Sequence, residues 1–233
     1  MKRVIVKLSG EALAGAKSQC IDQASVEKIC QELVNLNKLG YQVGVVTGAG
    51  NIWRGRDALS MDKADADQIG ILATILNSLA LQNEIQKLGA KAQVLTSIPV
   101  PTIAELFNRH EAISLMEDGV IVIFGGGTGL PFFTTDSCAA LRAAEVKADA
   151  ILMAKNGVDG VYDDDPKINK AAHRYEKLTY QEILTKNLHV MDATAAALCQ
   201  DNNIKTIVFD MNKPGNITKV LDNPAIGTII ENK

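Results

Sequence analysis

The sequence predicts an α/β fold in which helices cover both faces of a mostly parallel sheet. Short apolar segments that suit strands alternate with helical patterns along the 233 residues, and this alternation is typical of parallel sheets. Several of the segments are near-continuous runs of valine and isoleucine. Such runs indicate strands that are buried on both faces.

The predicted strands begin almost at residue 1, where Val4, Ile5 and Val6 form a short apolar run. The later strands have similar compositions, with the strings VGVV, QVL, VIVIF, ILM and TIVF. The predicted strands lie at residues 3–8, 42–47, 92–96, 120–124, 150–153, 206–210 and 228–230.

Helices are predicted between these strands. In the first helix, positions 26, 29, 30, 33, 36 and 39 are apolar, and Asp22 or Ser25 is available as the N-cap. The second helical segment is long and largely apolar. The predicted helices lie at residues 25–39, 67–88, 137–147, 180–185, 193–202 and 215–221.

We predict a single domain over residues 1–233, because no linker rich in proline, glycine or serine divides the chain. The loop at 125–135 is interpreted as a joint between two lobes of that domain. In open parallel sheets, ligands bind at the carboxyl ends of the strands. Motifs that directly follow strands are therefore expected to meet at one edge.

The composition argues against several classes of protein. A net charge of −3 and a pI of about 5.7 do not favour binding to nucleic acid. No uncharged apolar stretch reaches the roughly 18 residues of a membrane span, and we expect no signal peptide. The four cysteines form no CxxC pair and the three histidines are scattered. We therefore expect reduced thiols, a cytoplasmic location and no dedicated metal site.

The segment at residues 7–11, KLSGE, directly follows the apolar run of Val4, Ile5 and Val6. A lysine beside the free backbone N–H groups of a Ser-Gly turn suits the oxygens of a phosphate chain. Lys7 would neutralise charge that shifts between a phosphoryl donor and an acceptor. Taken alone, the segment is equally compatible with a solvated lysine at a strand end.

A second glycine turn follows the second strand, where residues 47–51 read TGAGN and Arg54 and Gly55 come shortly after. Small residues let the backbone approach a ligand closely, and an arginine can donate two hydrogen bonds to one phosphate. The alternative is a tight turn with a surface arginine. Trp53 is interpreted as a packing residue rather than a base-stacking one.

A third turn, GGGTGLPFFTTD at residues 125–136, contains the loop at 125–135 and follows the run VIVIF. Its four glycines leave the backbone free to wrap around a ligand. Thr134, Thr135 and Asp136 then open a helix, whose N–H groups point at an anion. Thr135 or Asp136 could instead be only the N-cap, although the two roles are compatible.

Residues 155–162, KNGVDGVY, and the Asp163-Asp164-Asp165-Pro166 segment form a stretch rich in turn residues. Three successive carboxylates can bind a metal, but the EF-hand spacing is absent and a solvated loop explains them as well. The sequence contains no GxxxxGK[ST], GxSxG or HExxH, and no GxGxxG in the required spacing. Together, the four segments predict a phosphoryl-transfer site.

These residues resemble the bacterial uridylate (UMP) kinases, a family within the amino acid kinase superfamily. The resemblance runs from Lys2 nearly to the carboxyl terminus, and its segments are KLSGEAL at 7–13, GAGNIWRG at 48–55, GTGLPFFTTDS at 127–137, VMDA at 190–193 and MNKPG at 211–215. The string PFFTTD discriminates best, because acetylglutamate and aspartate kinases share the general plan but not that string.

The resemblance implies a three-layer αβα sandwich and a homohexamer. It also implies direct in-line transfer from MgATP to UMP, giving ADP and UDP, with Mg²⁺ bound with ATP and a role in pyrimidine nucleotide biosynthesis. No strong general base is expected, since an oxygen of the UMP phosphate is already anionic at neutral pH. Feedback inhibition by UTP is implied as well.

The resemblance further implies a set of site residues. Lys7, Arg54 and Asp136 are expected to be catalytic. The residues expected at ATP are Lys7, Ser9, Gly10, Gly50, Arg54, Asn156, Tyr162 and Asp165. Those expected at UMP are Ala49, Asp67, Thr128, Gly129, Leu130, Pro131, Phe132, Phe133, Thr134 and Thr135. Among them, Asp67 would hold the ribose of UMP, and Asp159 is expected with Asp136 near the phosphates and Mg²⁺.

The chain departs from the family pattern at three places. Ala49 takes the place of a glycine and Leu130 that of a more polar residue. After Leu13, the family has a Gly-Phe-Gly-Ile-Asp-like segment that is linked to activation by GTP, whereas this chain reads AGAKSQCID at 14–22. We therefore expect activation by GTP to be weak or absent.

Two other functions stay open on the sequence. One is a different enzyme of the superfamily, which phosphorylates a carboxylate or a carbamate. The other is a regulatory protein that binds UMP or UTP without turnover. Lys7, Arg54 and Asp136 speak against the second, because binding alone does not require that set of charges.

Overall fold

The computed structural model describes residues 2–15, 20–54, 60–166, 168–188 and 190–232. Within these ranges the chain forms a nine-stranded sheet and a separate two-stranded sheet. The strands are β1 (Arg3–Leu8), β2 (Gln42–Thr47), β3 (Ala92–Thr96), β4 (Glu105–Leu106), β5 (Ile121–Gly125), β6 (Ala150–Lys155), β7 (Val161–Tyr162), β8 (Arg174–Tyr175), β9 (Lys177–Leu178), β10 (Lys205–Asp210) and β11 (Thr228–Ile230). The helices are α1 (Gly10–Ala14), α2 (Gln23–Lys38), α3 (Lys63–Lys87), α4 (Arg109–Glu117), α5 (Thr135–Glu145), α6 (Tyr180–Thr185), α7 (Ala193–Asp201) and α8 (Asn216–Asp222).

The large sheet has the strand order β4-β3-β5-β2-β1-β6-β10-β11-β9. Among the described strands of this sheet, every neighbouring pair is parallel except β10 and β11. The carboxyl ends of β1, β2, β5, β6 and β10 consequently lie at one edge of the sheet. The glycine turns follow strands at this edge, as the sequence predicted.

The hydrophobic core forms two layers, one on each face of the sheet. On one face, Ile5 and Met153 belong to a cluster that includes buried residues of α4, α5, α6 and α7. On the other face, Val4 and Val6 belong to a cluster with residues of α2, α3 and α8. This arrangement confirms the predicted α/β fold and is the three-layer αβα sandwich that the resemblance implied.

All the predicted strands and helices are present, with differences of up to four residues at their ends. Asp22 caps α2 and accepts a hydrogen bond from the Ser25 N–H at 3.0 Å, so the helix begins at Gln23. Asp62 caps α3, which therefore begins at Lys63 rather than at residue 67. Asp67 accordingly lies in the second turn of that helix.

The sequence analysis missed α1, α4 and the two-residue strands β4, β7, β8 and β9. Only Ala112 and Met116 of α4 are buried, which leaves too weak an apolar pattern to indicate a helix. Strands of two residues cannot show an alternating pattern. The division into two lobes within one domain stays a prediction.

Three features named in the sequence analysis lie outside the described residues: Gly55 of the second turn, residues 16–19 of the segment at 14–22, and His189. None of the described helices is both long enough and apolar enough to cross a membrane.

Candidate active site

The turns that follow β1 and β2 pack directly against each other. A Cβ atom at Gly10 would lie 2.6 Å from the carbonyl oxygen of Gly48 and 2.6 Å from the nitrogen of Gly50. Any side chain at position 10 would therefore push the two turns apart. Gly10 lets the amino terminus of α1 approach the turn at 48–51.

A buried pair of amides fixes the turn at 48–51. Asn51 and Asn77 exchange two hydrogen bonds of 2.9 and 2.8 Å, and Asn77 also donates to the carbonyl oxygen of Gly48 at 2.8 Å. The second donor of Asn51 reaches the carbonyl oxygen of Cys20 at 2.8 Å. Because a buried amide without partners is costly, this pair ties the turn to the middle of α3.

Lys7 and Asp136 form an ion pair between β1 and α5. The distance from Lys7 Nζ to Asp136 Oδ1 is 2.5 Å, and both side chains are largely buried. Burial opposes the ionisation of Asp136, but the ammonium groups of Lys7 and Lys155 outweigh it and lower the pKa of Asp136. Asp136 is therefore a carboxylate at neutral pH.

Thr134, rather than Thr135 or Asp136, is the N-cap of α5. Its side chain accepts hydrogen bonds from the N–H groups of Asp136 and Ser137. Asp192, the N-cap of α7, in turn accepts hydrogen bonds from the hydroxyl groups of Thr134 and Ser137. The carboxylate of Asp136 is thus not used as a cap and stays with Lys7.

A cavity of about 480 Å³ lies between the turn at 48–51, the first half of α3 and the loop at 125–135. Its lining includes most of the residues predicted at UMP, together with two predicted at phosphate: Ala49, Gly50, Arg54, Asp67, Thr128, Leu130, Phe133, Thr134 and Thr135. In the described part of the chain, Gly129, Pro131 and Phe132 lie in the same loop without lining this cavity.

Two charged residues of this cavity are bound to other parts of the protein. Asp67 accepts hydrogen bonds from Lys63 at 3.0 Å and from the Phe132 N–H at 2.8 Å. Arg54 Nη2 lies 2.8 Å from Glu11 Oε1, and Arg54 Nε donates to the carbonyl oxygen of Gly50 at 3.1 Å. An anionic ligand in the cavity would compete with Glu11 for Arg54.

One wall of the cavity was missed by the sequence analysis. Besides Asp67, four residues of α3 with helical spacing line this wall: Ala66, Gly70, Ile71 and Thr74. Trp53 and Glu11 line the cavity as well. The indole Nε1 of Trp53 donates to the carbonyl oxygen of Ala66 at 2.7 Å. The recurrence of small and polar residues on one face of α3 was a signal that could have revealed this wall.

The residues predicted at ATP line two further cavities. Asn156 lines a cavity of about 890 Å³ with Glu11 and Gly215. Tyr162 and Asp165 line another of about 470 Å³. The structure therefore does not gather Asn156, Tyr162 and Asp165 around one cavity.

The remaining predicted positions are held locally. Ser9 is the N-cap position of α1 and has an extended backbone. The carboxylate of Asp159 accepts a hydrogen bond from the Tyr162 hydroxyl at 2.7 Å and lies 3.4 Å from Arg174 Nη1, which holds it next to β7 and β8. In the ranges that the structure describes, no cluster of three or more His, Cys, Asp or Glu side chains is arranged for a metal ion.

Comparison with known proteins shows the family of this chain. Residues 2–210 match the model of a family described as the amino acid kinase family. The chain belongs to the amino acid kinase family. A curated relative, the uridylate kinase of Limosilactobacillus reuteri (strain DSM 20016), is 51% identical over 232 residues, which cover 99% of this chain and 97% of that protein.

Solved structures are similar to this chain over nearly their whole length. The UMP kinase from Bacillus anthracis has a TM-score of 0.96 and 42% identity, with coverage of 100% of this chain and 96% of that chain. The UMP kinase from Ureaplasma parvum has a TM-score of 0.94 and 45% identity, with coverage of 99% and 98%. The resemblance that the motifs indicated is thereby confirmed.

Proposed function

We propose that this member of the amino acid kinase family is a UMP kinase, which transfers the γ-phosphoryl group of MgATP to UMP and releases UDP and ADP. The observation that carries the proposal is the cavity of about 480 Å³, which is lined by Ala49, Asp67 and the loop from Thr128 to Thr135. Asp136, the partner of Lys7, directly follows this lining. The names of the similar proteins support UMP as the acceptor.

In this reaction an oxygen of the UMP phosphate attacks the γ-phosphorus of ATP. The bond from that phosphorus to the β–γ bridging oxygen breaks, and its electron pair stays on ADP. Because the attacking oxygen is already anionic at neutral pH, no side chain has to remove a proton. Catalysis then depends on positioning the two phosphates in line and on neutralising their charge.

Lys7 and Arg54 are proposed to supply that neutralising charge. Asp136 holds the ammonium group of Lys7 at the end of β1, where it can contact the transferring phosphoryl group. Arg54 would exchange Glu11 for the phosphate of UMP and donate two hydrogen bonds to it. The turns at Gly10 and at 48–51 would offer backbone N–H groups, so Ala49 can serve in place of a glycine.

Mg²⁺ is proposed to arrive with ATP. The described residues offer Asp136 as an ionised carboxylate beside Lys7, but no cluster of carboxylates. Mg²⁺ in kinase sites is usually held by one or two carboxylates together with the phosphates of the substrate. This set of donors therefore fits an ion held mainly by ATP, with Asp136 as the protein ligand. When bound, the ion would neutralise charge on the phosphate oxygens.

The release of ADP from MgATP, compared side by side for UMP, CMP and dUMP, tests the proposal. Strong turnover on UMP alone is expected. Binding of UMP without release of ADP would overturn the proposal in favour of a nucleotide sensor. Failure to bind UMP would point to an enzyme that phosphorylates a carboxylate or a carbamate.

We further propose a cytoplasmic homohexamer that acts in pyrimidine nucleotide biosynthesis and is inhibited by UTP. Self-association is supported by Leu72 and Leu76, two neighbouring residues of α3 that are 53% and 54% exposed. Exposed apolar residues of this kind are typical of contact surfaces between proteins. Sedimentation velocity measures the assembly directly.

Because the segment at 14–22 departs from the family pattern, GTP is expected to activate weakly or not at all. A several-fold rise of activity in a GTP titration would contradict this.

A further inference from the structure

Lys155 lies at the end of β6, beside the strand that carries Lys7. In the parallel pairing of β1 with β6, Lys7 is opposite Met153. Lys155 comes two residues after Met153, and side chains two residues apart in a strand point to the same face of the sheet. Lys7 and Lys155 therefore project towards the face that α5 and α7 cover.

The ammonium group of Lys155 is held by the protein backbone. Lys155 Nζ donates to the carbonyl oxygen of Val190 at 2.6 Å, just before α7 begins. An ammonium group has three donors, so this bond leaves capacity for a ligand. The hydrogen bond to Val190 therefore fixes the position of the Lys155 ammonium group without using all of its donors.

Positive charge exceeds negative charge among the described groups of Lys155, Lys7 and Asp136. Burial lowers the pKa of Lys155, the carboxylate of Asp136 raises it, and Lys7 lowers it again, with a net lowering. Among the described residues, two ammonium groups thus act on one carboxylate, that of Asp136. Excess positive charge in a partly buried place is unfavourable unless an anion shares it, so the cluster is suited to an anionic ligand.

Lys155 also lies between the two halves of the proposed site. It lines the cavity of about 470 Å³ together with Tyr162 and Asp165, two residues predicted at ATP. The next residue, Asn156, lines the cavity of about 890 Å³. On its other side, Asp136 follows the lining of the cavity proposed for UMP.

We propose that Lys155 is a further catalytic residue, whose ammonium group contacts the β- and γ-phosphate oxygens of ATP and stabilises the charge that develops on the leaving ADP. This inference rests on the proposed kinase function. As the bond between the γ-phosphorus and the bridging oxygen breaks, the electron pair stays on that oxygen, close to Lys155. Lys155 transfers no proton in this step, while Lys7 acts on the group being transferred.

Kinetics of Lys155→Met and Lys155→Arg test the inference, with Lys38→Met as the matched control. Lys38 is exposed at the end of α2, shortly before β2 begins, and so lies far from the carboxyl ends of the strands. We expect Lys155→Met to lower kcat about 100-fold while the KM for UMP changes by less than about threefold. Lys155→Arg should keep at least about a tenth of the original kcat, because arginine keeps the charge.

A second measurement tests whether Lys155 binds ATP through its charge or only holds the backbone at Val190 in place. Calorimetric titration with MgATP alone should show about tenfold weaker binding to Lys155→Met, as expected for a lost hydrogen bond to a charged group, and no change for Lys38→Met. If Lys155→Met keeps its kcat and its affinity for MgATP, the inference is wrong. It is also wrong if Lys155→Arg and Lys155→Met lose activity equally and both melt at lower temperature.

The same titration separates failure of this inference from failure of the proposed function. If the unmodified protein makes no UDP from UMP, the acceptor is wrong. The comparison of MgATP affinity between the unmodified protein and Lys155→Met then still decides whether Lys155 contacts the phosphates. Equal affinity would overturn the contact, and weaker binding would support it for whichever acceptor the enzyme uses.

Discussion

The turn at 48–51 and the charge cluster of Lys7, Asp136 and Lys155 lie at the same edge of the sheet, yet different forces hold them. The turn is fixed by neutral amides, whose donors meet buried carbonyl and amide oxygens. The cluster is held by opposite charges at close range, and its described members carry two positive charges and one negative charge.

The two kinds of interaction suit two different tasks in one site, which are positioning a ligand and stabilising charge. Satisfied neutral hydrogen bonds fix a geometry that does not change with pH. Buried charges depend on pH and on the ligand, and they are strong where charge develops during a reaction. We therefore propose that the turn and α3 position UMP, and that the charge cluster stabilises the transfer of the phosphoryl group.

Removing the charge of Lys7 should give the largest effect. We expect Lys7→Ala to lower kcat about 1,000-fold and to change the affinity for UMP by less than about fivefold, because the charge is needed while the phosphoryl group moves. Release of ADP at saturating substrates and calorimetry with UMP measure the two quantities. Lys38→Ala is the control and should match the unmodified protein. Equal losses of kcat and UMP affinity would refute the separation of tasks.

Replacing Asp136 should remove a part of the stability that depends on pH. The pKa of Asp136 is lowered in the folded protein, so its stabilising effect is complete above the ordinary aspartate pKa of about 4 and is lost as pH falls through the lower folded value. We expect Asp136→Asn to reduce the free energy of unfolding by about 3 kcal/mol at pH 7. In urea unfolding, this difference should shrink below about pH 4. A deficit that is the same at every pH would mean that charge does not hold this pair.

Removing the amide of Asn77 should give a loss that does not depend on pH. Asn77→Leu removes three buried hydrogen bonds, two with Asn51 and one with the carbonyl oxygen of Gly48. The loss should cost about 2 kcal/mol of unfolding free energy at both pH 7 and pH 5. The KM for UMP should also rise, since the turn carries Ala49 and Gly50. Ser78→Ala is the matched control, because the Ser78 hydroxyl donates only to Thr74 of its own helix in the described contacts, and it should cost under about 1 kcal/mol. If the loss in Asn77→Leu depended on pH, neutral hydrogen bonds would not be what holds the turn at 48–51.

Lys7 and Asp136 were easier to predict from the sequence than the amide network. Lys7 directly follows the apolar run of Val4, Ile5 and Val6, and the segment at 125–136 follows the apolar run at 120–124. Parallel strands bring their carboxyl ends together. The contact between Asn51 and Asn77 depends instead on how α3 crosses the end of β2. An asparagine within an apolar helix gives no sign of what it will meet, because 26 residues separate the two amides.

The residues predicted at ATP show the same limit. Asn156 and Tyr162 are close in sequence, but Gly157 has a φ of 73° and turns the chain between them. The two side chains then line different cavities. Lys155 could not be singled out either, because its place beside Lys7 follows from the register between β1 and β6. Local patterns predicted the elements, and tertiary pairing decided which side chains meet.

The smallest effect is expected at Asp67, a charged residue on the wall of the cavity that α3 forms. Asp67→Asn should raise the KM for UMP about tenfold, the cost of a weakened hydrogen bond between a carboxylate and a ribose hydroxyl, and should change kcat by less than about threefold. The KM for dUMP should rise less, if the lost contact is to the 2′-hydroxyl. Asp65→Asn, an exposed position in the preceding turn of α3, is the control. Equal increases for UMP and dUMP would mean that Asp67 acts through the Phe132 N–H, and the placing of UMP would then also depend on a charge.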